Sequence, residues 1–380
     1  MLSFIRPAIA QLNAYQPHPG DIIGTHPQTL DRLDTNESAN DLPEDLKQKL
    51  AQLYLHPLEA NRYPDGSHHQ LKQAICEYAN ESAQIVPEPA LSPTQICLGN
   101  GSDELIRSIL MATCLGERAA ILTANPTFSM YGILAQTLGI PVMSVDRHPQ
   151  TFETDLEAAQ KAIESETSVP IRVVFMVHPN SPTGNPLTSA EIQWLKQLPP
   201  EILVVIDEAY FEFSQHTLVP ELAQHPNWVI LRTFSKAFRL ASHRVGYAIG
   251  HPEFINALEK VRLPYNLPTF SQLAALLVLQ NRKSILSTID ALLQQREELN
   301  EKLNQLSLLK VWPSRGNFLY ARLNSTSQLT HAEIGDRLKT QGTLIRHTGG
   351  GLRITIGNSD ENQRTYQRLH HLLTSTAIPN

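Results

Sequence analysis

At 380 residues the chain exceeds what one hydrophobic core usually supports, so two domains sharing a cleft are expected. Hydrophobic residues make up 41% and charged residues 18%, ordinary values for a globular protein, and the formal net charge is -6. That acidic balance, with no block of Lys and Arg, argues against DNA, RNA or an anionic membrane as the main partner.

The chain starts MLSFIRPAIAQLNAYQPHPG, with one Arg and an apolar run broken by Pro7, and lacks the apolar core and cleavage site of a secretory signal. No apolar stretch reaches the roughly 18–20 residues of a membrane span. The three cysteines, Cys76, Cys97 and Cys114, form neither a CxxC pair nor an even-numbered framework. Buried free thiols in a reducing cytosol are the expectation, with no metal site. A soluble, cytoplasmic protein follows.

Residues 1–45 read as an irregular, Pro-containing arm ending in LDTNESAND. A helix EDLKQKLAQLYL, a turn RYPDGS and a second helix HHQLKQAICEYANES with apolar spacing near 3.6 come next. Short β-like runs then alternate with helices: QICLG, AAILTA, PVMSV, IRVVFMVH, EILVVID and WVILRTF. The last three are almost continuous in Val, Ile, Leu and Phe, the mark of a parallel sheet covered by helices on both faces. Residues 46–268 therefore form a large α/β domain. Beyond 268 the long helical pattern SQLAALLVLQ and KSILSTIDALLQQREELNEKLNQL leads to KVWPSRGNFLYARL, TLIRH and LRITIG, and a last helix follows Ser359-Asp360. Residues 269–380 are expected to form a smaller α+β domain.

Several strand-like runs end in polar or Gly/Pro clusters. In open α/β sheets ligands bind beyond the carboxyl ends of the strands, so these clusters should converge. In GNGSDELI, two glycines precede Ser102, and Ser102 and Asp103 open a helix. Free amides there make an anion site, although a plain strand–loop–helix connection would use the same glycines. Asp207 ends the apolar run EILVVID, where a carboxylate needs a cation or donors; a helix cap is the other reading. Tyr210 follows three residues later. HPNSPTG offers Asn180, Ser181 and Thr183, which turn chemistry alone would also explain. PTFSMY offers the aromatic ring of Phe128, which a core would also use. RTFSKAFRLASHRVGY carries Lys236 flanked by Thr233 and Ser235, with Arg244 eight residues on. A lysine there is either solvated or a nucleophile held in a pocket.

Together these features fit one flat, phosphorylated, cationic heterocycle bearing an aldehyde, pyridoxal 5′-phosphate. A lysine that can form a Schiff base and an acid for the pyridinium nitrogen are the binding signature of that cofactor.

The chain also resembles the class I/II aminotransferases of fold type I, nearly end to end, through LDTNES, RYPDG, GNGSDELI, PTFSMY, HPNSPTG, DEAYFEF, RTFSKAFRLASHRVGY, NFLYARL and LRITIG. SKAF, LASHRVG, RYPDG and NFLYARL narrow the likeness to the histidinol-phosphate branch. The resemblance implies the fold of those transferases and transamination between L-histidinol phosphate and 2-oxoglutarate, in histidine biosynthesis. An aromatic amino acid aminotransferase or a threonine-phosphate decarboxylase shares most of the scaffold. A cofactor-binding transcriptional regulator would need a basic DNA-binding segment, which the short arm does not provide.

Residue by residue, the likeness implies that Lys236 forms the Schiff base and moves the substrate proton, Asp207 pairs with the ring nitrogen and Tyr210 with the ring oxygen. Phe128 is expected to stack on the ring. The amides of Ser102 and Asp103, with Ser235 and Arg244, are expected to hold the phosphate. Tyr63 is similar to a tyrosine reaching the neighbouring subunit's phosphate, which implies a homodimer with shared sites. Tyr15, Asn36, Arg346 and Arg353 are expected around the substrates, histidinol phosphate and glutamate or 2-oxoglutarate. Two places depart from the pattern. Relatives usually read NNPTG; here either Ser181 substitutes or Asn180 turns inward, and Asn180 is preferred. The short IRHTGGGLRITIG segment is expected to close a tight turn at Gly349–Gly351.

Overall fold

The apolar runs become strands in the computed structural model, which describes residues 2, 4–12, 14, 30–56, 58–85, 90–165 and 169–375. In chain order these are β1 (Asp31–Leu33), β2 (Ile96–Asn100), β3 (Ala120–Asn125), β4 (Val142–Asp146), β5 (Ile171–Val177), β6 (Leu203–Asp207), β7 (Trp228–Thr233), β8 (Val245–Gly250), β9 (Leu309–Trp312), β10 (Phe318–Leu323), β11 (Thr343–Thr348) and β12 (Gly351–Thr355). They form two sheets, ordered β2-β8-β7-β6-β5-β3-β4 and β1-β11-β12-β10-β9.

Strands β4, β3, β5, β6 and β7 run parallel, and β6 and β7 are buried along their whole length. Alternate residues serve opposite faces. Val204, Ile206, Trp228 and Ile230 join one apolar core, with Leu71 and Ile75 of the helix His69–Ser82. Leu203, Val205, Val229 and Leu231 join another, with Leu105, Ile106 and Ile109 of the helix Gly101–Thr113. A sheet covered on both faces leaves its strand ends as the place for a site.

Strand β8 lay hidden inside the sequence motif RLASHRVGY. It runs antiparallel to both β2 and β7. It therefore starts at the edge where β7 ends, which brings Arg244 back beside Lys236. The smaller sheet has its own core, built from Leu299, Leu303, Leu319, Ile334, Leu352 and Ile354 among others. The arm enters that sheet as β1, parallel to β11. Asp31 locks it there, taking hydrogen bonds from both Arg364 and Arg368 of the last helix.

The change of character read at residue 268 does not coincide with the change of core. The helix Thr269–Gln280 buries Ala274, Ala275, Val278 and Leu279 in the larger sheet's core, and Ile285 does the same, so the boundary falls later. The hairpin β11–β12 closes as expected from its glycines. Thr348 pairs with Gly351, and Gly349 and Gly350 between them have φ of +60° and +74°, which a two-residue turn of this hand requires. All three cysteines are free and buried. Among the described residues, no helix is long and apolar enough to cross a membrane.

Candidate active site

The carboxyl ends of β5, β6 and β7 border a cavity. Ser102, Asp103, Phe128, Val177, Ser181, Asp207, Ala209, Tyr210, Thr233, Ser235, Lys236 and Arg244 line it from the larger sheet's side. Arg346 and Arg353 line it from the hairpin β11–β12, and Asp34 and Thr35 from the arm. The two arginines are register partners on adjacent strands. Eleven sequence-predicted residues thus converge from six separate stretches of chain.

One end of the cavity is built for an anion. The helix Gly101–Thr113 starts directly after β2, with Gly101 at φ +72° and its N–H on the Arg244 carbonyl at 2.8 Å. A Cβ on Gly101 would run into the Arg244 guanidinium, and one on Gly246 would stand 2.6 Å from the Ser102 amide nitrogen. Both positions need glycine for backbone and side chain to close up. Arg244 donates through Nη1 to Ser235 Oγ and through Nη2 to Asp103, each at 3.2 Å. Helix amides, a hydroxyl and a guanidinium thus meet at the positive end of a 13-residue helix.

Lys236 sits on a loop tied down from beneath. Thr233 Oγ1 accepts the Ser235 amide at 3.1 Å and donates to Ser235 Oγ at 3.0 Å, while Phe238 and Leu240 are fully buried. Lys236 Nζ donates to the Thr35 carbonyl at 2.8 Å. Burial, then the positive charges of Arg353 and Arg244, lower its ammonium to about 7 against the pull of Glu37. A substantial share of this lysine is therefore a neutral, nucleophilic amine near neutrality.

Asp207 lies opposite in character. Burial pushes its carboxyl up to about 6, although Tyr131 Oη donates to Oδ2 at 2.6 Å and the Ala209 amide to Oδ1 at 3.0 Å. A cationic partner in the cavity would restore its charge. Tyr131 was not anticipated. It is fully buried, stacked on Phe175 at 4.5 Å and met edge-on by Phe128 at 5.5 Å. Its only trace in the sequence is its place three residues after Phe128. Asp34 and Thr35 were also missed, because they act through main-chain carbonyls; Thr35 Oγ1 is buried without a partner.

Two expectations are corrected. Asn180 does not turn into the cavity: its Nδ2 donates to the Pro126 carbonyl at 3.0 Å and to Thr183 Oγ1 at 2.6 Å, and its Oδ1 accepts from Thr127 Oγ1 at 3.1 Å. Those bonds hold the loop, and Ser181 faces the cavity, accepting from Arg353 Nη1 at 3.1 Å. Asn36 does not line the cavity either. It is 1% exposed and stands behind Tyr210, donating from Nδ2 to the phenol oxygen at 2.9 Å. Tyr63 lies outside its own chain's cavity, 82% exposed and stacked on Tyr265 at 4.7 Å. Tyr15 lies outside the described residues.

Comparison with known proteins fits this geometry. The sequence model of the family described as aminotransferase class I and II matches residues 30–369. Histidinol-phosphate aminotransferase 2 of Nostoc sp. is 58% identical, across 100% of this chain and 99% of its own. The histidinol-phosphate aminotransferases of Trichodesmium erythraeum and Synechococcus elongatus are 58% and 56% identical, over 97% and 99% of this chain and 99% of each of theirs. Among solved structures, the histidinol-phosphate aminotransferase of Sinorhizobium meliloti, in complex with pyridoxal-5′-phosphate, has a TM-score of 0.83 at 22% identity over 99% of both chains. The L-threonine-O-3-phosphate decarboxylase of Porphyromonas gingivalis has a TM-score of 0.73 at 21% identity, over 91% of this chain and 100% of its own. The structural likenesses speak for the fold. With the family match and the full-length relatives beside them, the chain belongs to the class I and II aminotransferase family.

Proposed function

We propose that the protein is a histidinol-phosphate aminotransferase. It moves an amino group between L-histidinol phosphate and 2-oxoglutarate, giving imidazole acetol phosphate and L-glutamate, in the cytoplasm and with pyridoxal 5′-phosphate as cofactor. The observation that carries this reading is the lysine lowered to about 7 in a cavity it shares with Asp207 and an anion cradle.

The residues present fit that cofactor. Ser102, Asp103, Ser235 and Arg244 form a cradle for its phosphate, which a Cβ at Gly101 or Gly246 would obstruct. Asp207 offers an anion for the ring nitrogen, Tyr210 and Ser181 offer hydroxyls, and Phe128 offers a flat face. When bound, the cofactor supplies an electron sink for the negative charge that develops on the substrate Cα.

The protein's part is to bind, orient and move protons. Lys236 Nζ, a substantial share of it neutral near pH 7, would attach the cofactor and hold the proton moved from and back to the substrate Cα. Arg244 contributes positive charge that keeps Nζ deprotonated and can grip phosphate through two N–H groups. Asp207, held by Tyr131 and the Ala209 amide, keeps the ring nitrogen protonated. Arg346 and Arg353 give the two anionic substrates a common grip, on the phosphate of one and the carboxylates of the other. Tyr63, exposed and outside its own cavity, serves the phosphate site of a second copy in a homodimer.

The test is direct. Purified protein mixed with pyridoxal 5′-phosphate should develop the absorbance of a covalently attached cofactor and turn over L-histidinol phosphate. Lys236→Ala should lose both the band and the turnover. A wild-type protein that takes up no cofactor contradicts the reading.

A further inference from the structure

Asn36 has each of its polar groups engaged in a buried place. Its backbone N–H donates to Thr355 Oγ1 at 3.0 Å, and Thr355 Oγ1 in turn donates to Asn36 Oδ1 at 3.1 Å. Its carbonyl accepts from Asn317 Nδ2 at 3.1 Å, and its Nδ2 donates to Tyr210 Oη at 2.9 Å. Asn36 has φ of +55°, a left-handed backbone that asparagine tolerates better than most residues. Asn36 and Thr355 are 1% and 2% exposed, so no solvent stands in for a missing partner.

This reciprocal pair fixes which way the amide faces. With the amide turned over, Thr355 Oγ1 would accept both Asn36 donors and its own proton would be buried with nothing to receive it, at a cost of about 1–3 kcal/mol. The oxygen of the amide therefore faces Thr355 and the nitrogen faces Tyr210. Tyr210 Oη must accept from Asn36, and its single proton is left to point elsewhere. Tyr210 lines the cavity, so the proton is directed there.

We propose that Asn36 is a positioning residue which, oriented by Thr355, commits the Tyr210 hydroxyl to donating into the cavity. This rests on the functional reading above, in which Tyr210 meets the ring oxygen of pyridoxal 5′-phosphate. It assigns Asn36 a role through Tyr210 instead of contact with substrate. It also draws a residue of the smaller sheet, Thr355 on β12, into the electronics of the larger sheet's site.

The test reads the pH midpoint at which the absorbance of protein-bound pyridoxal phosphate changes. A donor to the ring oxygen stabilises negative charge there and weakens its hold on the shared proton, so losing the donor raises the midpoint. Tyr210→Phe should raise it by about one pH unit, the worth of one hydrogen bond to a charged group. Asn36→Ala and the isosteric Thr355→Val should raise it by a smaller step, and Thr355→Ser should restore the wild-type value. In a Tyr210→Phe background neither Asn36→Ala nor Thr355→Val should add anything. Asp103, Asp207, Lys236, Arg244, Arg346, Arg353 and Glu37 are unchanged in every variant, so they leave the differences intact.

The proposal is overturned if Asn36→Ala and Thr355→Val keep the wild-type midpoint while Tyr210→Phe moves it. It is equally overturned if their shifts persist without the Tyr210 hydroxyl, or if Thr355→Ser behaves as Thr355→Val does. A wild type with no bound cofactor removes the functional reading itself, and this role with it.

Discussion

Lys236 and Asp207 feel the same physical force with opposite results. Desolvation favours the neutral form of each, lowering the ammonium to about 7 and raising the carboxyl to about 6. For Lys236 the neutral form is the reactive one. The rate at which cofactor-free protein attaches pyridoxal 5′-phosphate should therefore rise about tenfold per pH unit below 7 and level off above it. An unperturbed lysine would keep gaining rate toward pH ~10.4. Arg353→Gln removes one of the charges that lowers the lysine, so stopped-flow profiles of this variant should level off at higher pH; an unmoved profile contradicts the assignment. For Asp207 the charged form is needed, and Tyr131 supports it. Tyr131→Phe keeps the ring stacked on Phe175 but removes the bond to Oδ2. Loss of a hydrogen bond to a charged group, about 1.5–3 kcal/mol, should weaken cofactor binding roughly 10- to 100-fold in a titration of cofactor-free protein. Affinity equal to wild type would remove Tyr131 from the site. Side chains with strong chemistry were legible from sequence only in combination, since a lysine, an aspartate or glycines at a strand end each also have a plain structural use. Tyr131 and Asn180 were not legible, because their tasks are set by partners 76 and 54 residues away.

Elements rather than side chains decide how the anion cradle closes. Strand β8 turns back beside β2, and Gly246 on it touches the first amides of the helix Gly101–Thr113. Gly246→Ala should push that helix start away and weaken cofactor binding by about one charge-assisted hydrogen bond, roughly tenfold or more. An unchanged dissociation constant would mean the helix start can give way. On the opposite face of the same strands, Tyr78 donates to Glu212 at 3.0 Å near the buried Arg232–Glu208 ion pair at 2.9 Å. Two acids share one arginine there, and burial raises Glu212 from 4.5 to about 7. The unfolded chain thus releases that proton before the folded one does. Stability owed to Glu212 is complete below about pH 4.5 and is lost as pH rises through about 7. Glu212→Gln should lack that loss, so the two proteins' unfolding free energies should diverge by on the order of 3 kcal/mol across the window. Parallel curves would contradict it. The parallel strands were readable from their continuous apolar runs. Strand β8 was not, because its residues doubled as a chemical motif. The helix Thr269–Gln280 misled for another reason: its apolar composition gives no sign of which core receives it.

At the scale of the molecule, the cavity is assembled from a sheet, a hairpin of the other sheet and the arm. The arm is anchored by Asp31 in the smaller sheet and reaches Lys236 through the Thr35 carbonyl. Arg353 reaches across to Ser181 and to the Asp34 carbonyl. Such convergence of long-range pieces is what no local sequence pattern encodes. The proposed dimer extends it, with Tyr63 completing a neighbour's site. Mixing Tyr63→Ala and Lys236→Ala chains, each poorly active alone, should regenerate up to about a quarter of wild-type activity, because half the mixed pairs' sites escape both lesions. No recovery after subunit exchange would count against shared sites.

Initial rates with purified, cofactor-loaded protein should be compared for L-histidinol phosphate and L-phenylalanine, each with 2-oxoglutarate, scored by glutamate formed, alongside carbon dioxide release from O-phospho-L-threonine. The value of kcat/KM for histidinol phosphate should exceed that for phenylalanine, and no carbon dioxide should be released. Preference for phenylalanine, or decarboxylation of the phosphothreonine, would contradict the proposed function.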